Sequence, residues 1–422
     1  MSAEQTVTDV TCSQCGCTCD DLSITKNGNA ITSISPNCPL ADAFFLEHGG
    51  RTPPRSVSTA ESLDCLLDKA TQVLAGARHP LIYGLAHSST ESQREAVALA
   101  DQLGACLDTT NAPGHAAAMV ALQIAGESTS SLGEVRARSN TILFWGCNPA
   151  HSHPRFIERF VDAPGLFVPG GRRDRQVIVV DVAPTETSAL ADTFLQIDPG
   201  SDFELLWALR GLVKGVPLSD NTIAGVSVSQ LSPLVQQFKS AQYGAAFFGP
   251  GLTAHGLPHQ NVEALLRLVT DLNAHTRWVV RGLRNPGEAS SAESVLSWQT
   301  GYPMCVNMSR GYPRYNPGEF TATNLLERGE VDAVLLLGTT GLHQLPAAAL
   351  AHLKSVPTVV LDSGWHELDF TPTVRLNTST YGLHRGGTTS RLDGTPLPLH
   401  AVLKSDLPAD HELLAALAAR LR

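Results

Sequence analysis

The chain has 422 residues, of which 43% are hydrophobic and 17% charged, and its formal net charge is −10. That length exceeds one small core and sets an expectation of two or three domains. The acidic balance excludes a general nucleic-acid binder, which needs a basic face to displace counterions. No apolar run approaches the roughly 20 residues that span a bilayer. The N-terminus, Met1 to Asp9, lacks the basic start and apolar run of a signal peptide. No membrane partner and a cytoplasmic location are therefore expected.

Five of the nine cysteines lie in the first 38 residues: Cys12, Cys15, Cys17, Cys19 and Cys38. Clustered thiolates suit iron–sulfur clusters and zinc, because soft sulfur ligands favour both. The spacing Cys12-x2-Cys15-x3-Cys19, closed by Cys38, fits a [4Fe–4S] site with Cys17 as an extra thiol. A four-cysteine zinc site and plain disulfides stay open. Between Cys19 and Cys38, two short apolar runs (Leu22, Ile24; Ile31, Ile34) flank Asn27-Gly28, which predicts a β-hairpin. A hairpin returns Cys38 to the Cys12 loop. Residues 51–59 read as a linker.

Beyond the linker, helices and short apolar strands alternate. Helical periodicity covers 62–74, 89–103, 202–213, 261–272, 345–353 and 411–421. Strands are expected at 80–84, 141–146, 176–181, 245–249, 278–280, 332–338 and 358–362. Fully apolar strands separated by helices predict an α/β protein with doubly wound, mainly parallel sheets. Such sheets bind ligands beyond their strand C-termini. That draws attention to Gly146 with Asn148, His151 and His153, to Asp181, and to Gly338–Gly341. The plain alternative for each is an ordinary Gly/Asn/Pro turn. His151 and His153 need further convergent ligands before they make a metal site. The Phe248–Gly251 stretch is too short to cradle phosphate. No nucleophile elbow, His-Glu-x-x-His or Walker loop occurs.

Several segments together carry a resemblance. They are Cys12 to Asp21, Trp145–Pro149 with Ser152–Arg155, Gly171–Arg175 before Val177–Asp181, Ser201–Leu206, Trp298 to Glu319, and Arg391–Pro396. Through them the chain resembles the B-type subunits of formylmethanofuran dehydrogenase, within the molybdopterin and tungstopterin oxidoreductases. The resemblance runs from residue 12 to 396. It implies two Rossmann-like domains plus the small Cys-rich β unit, without the C-terminal β-barrel domain of one-chain pterin enzymes. The boundaries expected are 1–52 for the Cys-rich unit, 53–125 plus 306–422 for a discontinuous α/β domain, and 126–305 for an inserted dinucleotide-binding-like domain. It also implies a [4Fe–4S] cluster on Cys12, Cys15, Cys19 and Cys38, and sheets that hold two pterin nucleotides near Asn148 and Asp181.

Two departures alter what the resemblance implies. The family's metal-ligating cysteine or selenocysteine precedes a histidine; here that histidine is His115, and Gly114 stands before it. Glycine has no donor side chain, and Cys106 lies eight residues earlier. Near the end, His384–Thr388 replaces an acidic stretch. A Mo/W-bis-pterin is therefore expected to be absent, with His115 and Arg310 as remnants of a catalytic pair. The bland reading is that Arg310 and Arg314 pair with Glu319 or cap carbonyls. Formyltransferase/hydrolase complexes of methylotrophic bacteria use such B-type subunits beside A, C and D types. The resemblance thus implies a structural subunit in one-carbon metabolism, in a complex that binds a methanofuran-like carrier. An active Mo/W formylmethanofuran dehydrogenase subunit is the alternative.

Overall fold

The computed structural model describes residues 4–48, 61–283, 290–365 and 367–422. The stretch read as a linker at 51–59 lies outside the described residues. The chain divides into two compact units, Met1–Pro113 with Pro286–Arg422, and Gly114–Asn285. The second unit is thus inserted into the first.

The first unit begins with a three-stranded antiparallel sheet, Glu4–Val10, Leu22–Asn27 and Ala30–Ser35 in that order. The predicted hairpin is present, with its turn one residue later than expected. Asn27 pairs with Ala30, so Gly28 and Asn29 form the loop, and Gly28 takes φ +62°. Glycine adopts that left-handed conformation without a Cβ clash. The Glu4–Val10 strand is an addition to the sequence reading, because only Val7 and Val10 are apolar in it and most of it faces solvent.

The main sheet of this unit has seven strands. Their order is Arg314–Tyr315, Val306–Asn307, Cys106–Thr109, Pro80–Gly84, Ala333–Leu337, Thr358–Asp362 and Val374–Asn377. The five from Cys106–Thr109 onward are parallel, and the first two are antiparallel additions at one edge. Alternate residues feed two cores. Ile82, Leu335, Leu337 and Val359 pack with helices Leu63–Gly76, Thr90–Leu103 and Asp410–Arg420. Leu81, Val334, Leu336 and Val360 pack with Ala322–Glu327 and Ala347–Ser355 on the other face. This two-sided burial explains why the strands read as continuous apolar runs. Ser62 and Ser89 start their helices by accepting the backbone N–H of Cys65 and Ser92, which satisfies otherwise orphan donors.

The second unit holds a five-stranded parallel sheet in the order Arg277–Gly282, Tyr243–Phe248, Thr141–Trp145, Gln176–Asp181 and Thr193–Gln196. The order reverses between Thr141–Trp145 and Tyr243–Phe248, where doubly wound sheets open a ligand crevice. One core, built on Leu143, Trp145, Ile178 and Leu265, joins this sheet to helices Asp202–Val213 and Pro258–Leu272. The indole N–H of Trp145 donates to Asp202 at 2.7 Å.

Candidate functional site

Cys12, Cys15, Cys17, Cys19 and Cys38 are all buried and none is in a disulfide. The loop between the first two strands folds on itself. The Cys12 N–H donates to the Cys19 carbonyl at 2.8 Å, and the Thr18 N–H to the Cys15 carbonyl at 3.0 Å. Burial pushes the Cys12 thiol well up, and Cys15, Cys19 and Cys38 add to the rise by charge repulsion. The Cys12 thiol thus lies within electrostatic reach of Cys15, Cys19 and Cys38, and a bound cation would favour its thiolate. Among the described residues, no group of three or more His, Cys, Asp or Glu side chains is placed to hold a metal ion.

Gly114 and His115 lie near the start of helix Ala112–Ala125. Pro113 is allowed there because early helical N–H groups lack intrahelical partners. A Cβ added at Gly114 meets no atom within 4 Å, and φ is not positive. Neither close packing nor backbone conformation demands glycine, and the position offers no donor atom. His115 is half-buried and lines a small cavity with Phe248 and Arg281. Arg310 is exposed and belongs to the other unit. Arg314 does not pair with Glu319: it donates to Asn307 at 2.8 Å and lies over the Phe320 ring. Cys106 is a poor replacement ligand, since burial above all holds its thiol up at about 12.

Asn148 follows strand Thr141–Trp145, and Asp181 ends the adjacent strand Gln176–Asp181. The Asn148 side-chain carbonyl accepts the Thr187 hydroxyl at 2.7 Å and its backbone N–H at 3.1 Å, and its amide donates to Glu186. Asn148 therefore ties down the loop after Asp181. Burial raises the Asp181 carboxyl. The crevice at the strand-order reversal is closed by glycines. The Gly251 N–H donates to the Gly146 carbonyl at 2.9 Å, and a Cβ on Gly146 would lie 2.7 Å from the Leu252 nitrogen. Phe248–Gly251 is thus a packing loop. His151 is exposed, 3.8 Å from Glu186. His153 is buried beside Ser152, and burial lowers it to about 4, so it stays neutral.

In the seven-stranded sheet, the order reverses between Pro80–Gly84 and Ala333–Leu337. A cavity of about 300 Å3 opens there, lined among others by Gln14, Phe44, Thr339, Trp365 and Tyr381. Two carboxylates on its wall are already engaged. Asp362 takes the Arg375 guanidinium at 3.0 Å and the Thr339 hydroxyl at 3.2 Å. Asp410 accepts the hydroxyls of Ser88 and Ser92, and burial raises its carboxyl. Tyr381 bridges Ser92 at 2.7 Å and His411 at 2.8 Å. The His411 ring reaches the Tyr381 phenol, while Ser88 and Ser92 of this wall are held by Asp410. The wall can orient a polar ligand. The sequence pattern flags Gly338–Gly341 and misses Ser88, Tyr381 and Asp410; the Ser88–Asp410 and Ser92–Tyr381 contacts span 322 and 289 residues.

Asp108 is fully buried and receives the backbone N–H groups of Ala322 at 2.7 Å and Cys305 at 3.1 Å. Burial raises it to about 7 despite those bonds. The folded chain then holds a proton that the unfolded chain releases near pH 4. The associated stability is full below pH 4 and is lost as pH rises to 7, by roughly 4 kcal/mol. Urea midpoints at pH 5 and pH 7.5 should show this slope, and Asp108→Asn should flatten it. Equal slopes in both proteins would refute the assignment.

No protein-family model matches the chain. It is 36% identical over 434 residues to the B-type subunit of the tungsten-containing formylmethanofuran dehydrogenase 2 of Methanocaldococcus jannaschii, covering 99% of this chain and 98% of that one. It is 26% identical over 280 residues to the B-type subunit of the formyltransferase/hydrolase complex of Methylorubrum extorquens, covering 66% and 73%. A chain in the crystal structure of that complex with methylofuran superposes with a TM-score of 0.72 at 24% identity, covering 87% of this chain and 98% of its own. That last likeness shows the fold.

Proposed function

The chain belongs to the family of formylmethanofuran dehydrogenase B-type subunits, and from this we propose that it is the B-type component of a formyltransferase/hydrolase-like complex in one-carbon metabolism. In this reading it supports formaldehyde-to-formate flux as a structural subunit without redox chemistry of its own. The observation that carries the proposal is Gly114. The position beside His115 lacks a donor atom, and nothing in the surrounding packing requires glycine there. His115 and Arg310 are then catalytic remnants, and Asn148 and Asp181 remnants of pterin-binding positions; Asn148 now ties down the loop after Asp181. The partners are A-, C- and D-type subunits, and the carrier bound by the whole complex is methanofuran-like.

Cys12, Cys15, Cys19 and Cys38 hold a [4Fe–4S] cluster in this proposal. The burial of all four and the charge repulsion that Cys15, Cys19 and Cys38 exert on the Cys12 thiol support it. A cubane gives each thiolate its own iron, so its ligands stand farther apart than the four around one zinc ion. The cluster would supply cationic charge to four buried thiolates and pin the N-terminal sheet.

The identity to a tungsten-containing relative favours a second reading, an active Mo/W formylmethanofuran dehydrogenase subunit. Metal analysis of the complex purified without oxygen separates the two. The proposal expects iron and no stoichiometric molybdenum or tungsten. One Mo or W per chain would overturn it in favour of the second reading.

A further inference from the structure

We propose that the segment from Trp298 to Glu319 is a docking surface for an extended, carboxylate-bearing segment of a sister protein in the complex. The proposal rests on the reading that this chain assembles with sister subunits. The segment contains the longest motif singled out in the sequence, yet its largest side chains do not serve the core. Trp298 is 66% exposed and Tyr312 is 53% exposed, and Arg310 is exposed beside Tyr312. None of the three side chains has a hydrogen bond, ion pair or ring contact among the described residues. Trp, Tyr and Arg are the residue types that dominate binding energy at protein interfaces.

The display is rigid. The Asn307 side-chain carbonyl accepts the Ser309 N–H at 2.9 Å, the Ser309 hydroxyl at 2.7 Å and the Arg314 guanidinium at 2.8 Å. The Asn316 side-chain carbonyl accepts the Gly318 N–H at 2.9 Å. Tyr302 and Tyr315 stack with centroids 5.1 Å apart and planes 3° from parallel. Asp108 fixes both flanks through Cys305 and Ala322. A surface ordered in advance loses little entropy on binding.

A second, independent observation is the sheet edge. Arg314–Tyr315 is the outermost strand of the seven-stranded sheet and, among the described residues, pairs only with Val306–Asn307. This edge strand, just after the exposed Arg310 and Tyr312, is a place for an extended peptide to lie alongside. Charge selects the occupant. The segment carries Arg310 and Arg314 against Glu319, in a chain of net charge −10. A two-fold contact between copies would bring two net-basic patches together, whereas a carboxylate-bearing partner complements them.

The test co-expresses the full chain with the A-, C- and D-type subunits and measures co-purification and complex mass. Trp298→Ala/Arg310→Glu/Tyr312→Ala is expected to weaken assembly at least about tenfold, with its urea midpoint unchanged. Arg310→Glu alone, which touches no internal contact, should weaken assembly and reduce its salt dependence. Undiminished assembly of both variants overturns the surface and leaves the assembly reading intact. A wild-type chain that dimerises through these residues also overturns it. A wild-type chain that captures none of the sister subunits overturns both.

Discussion

Replacing Cys12 by serine is expected to empty the N-terminal unit of iron. Chain purified without oxygen should carry about four irons and four acid-labile sulfides with a broad visible absorption. The Cys12→Ser protein should hold less than about one iron, because a lost corner ligand exposes the cluster to dissociation and oxidation. Folding and ligation are coupled when the ligand set comes together only in the folded chain. Here burial raises the Cys12 thiol, and its three neighbours raise it further. A loss of about 4 kcal/mol in ligation corresponds to a melting shift of about 10 °C for a unit of this size. Cys17→Ser is the control: Cys17 is buried but outside the ligand set, so its iron should stay. Wild-type protein with one zinc and no sulfide would replace the cluster with a zinc site. Protein with neither metal would leave four buried thiols of purely structural use.

Arg175→Leu is expected to destabilise the inserted unit by about 4 kcal/mol, read as a fall in urea midpoint. The sequence places Arg175 in a motif shared with pterin enzymes, which invites a ligand-binding role. The structure buries it almost completely and gives it four carbonyls. Its guanidinium donates to Arg136 at 2.7 Å and Ser139 at 3.1 Å, at the end of helix Leu132–Arg138. It also donates to Val161 at 2.6 Å and Ala163 at 2.8 Å, at the end of helix Ile157–Asp162. One cation thus closes two helix C-termini, where the backbone is electronegative and carbonyls lack partners. Removing it leaves buried acceptors unsatisfied. Lysine keeps the charge but not the fork, so Arg175→Lys should cost about half as much. A shift below about 1 kcal/mol for Arg175→Leu would show that water reaches those carbonyls unaided.

The sheets were legible because their strands are buried on both faces. Pro80–Gly84, Thr141–Trp145 and Ala333–Leu337 leave no polar alternation to confuse the reading. Glu4–Val10 was invisible for the opposite reason: its stability comes from backbone pairing with Leu22–Asn27, and most of its side chains face water. Asn111-Ala-Pro-Gly114 has the composition of a turn, yet it leads into helix Ala112–Ala125, since Pro and Gly fall in the first turn. The cysteine spacing was local and readable. The Ser88–Asp410 contact spans 322 residues, and no local pattern encodes such a pairing.

The insertion of one unit into the other sets the timing of synthesis. Strand Pro80–Gly84 takes its central neighbour from Ala333–Leu337, which leaves the ribosome 249 residues later, counting from Gly84 to Ala333. At bacterial to eukaryotic elongation rates that is a delay of roughly 12 to 50 s. The five strands of the parallel sheet in Gly114–Asn285 are all complete within that interval. The inserted unit therefore folds first, while an apolar strand edge upstream waits unpaired. That nascent edge is then exposed to aggregation until its partner strand emerges.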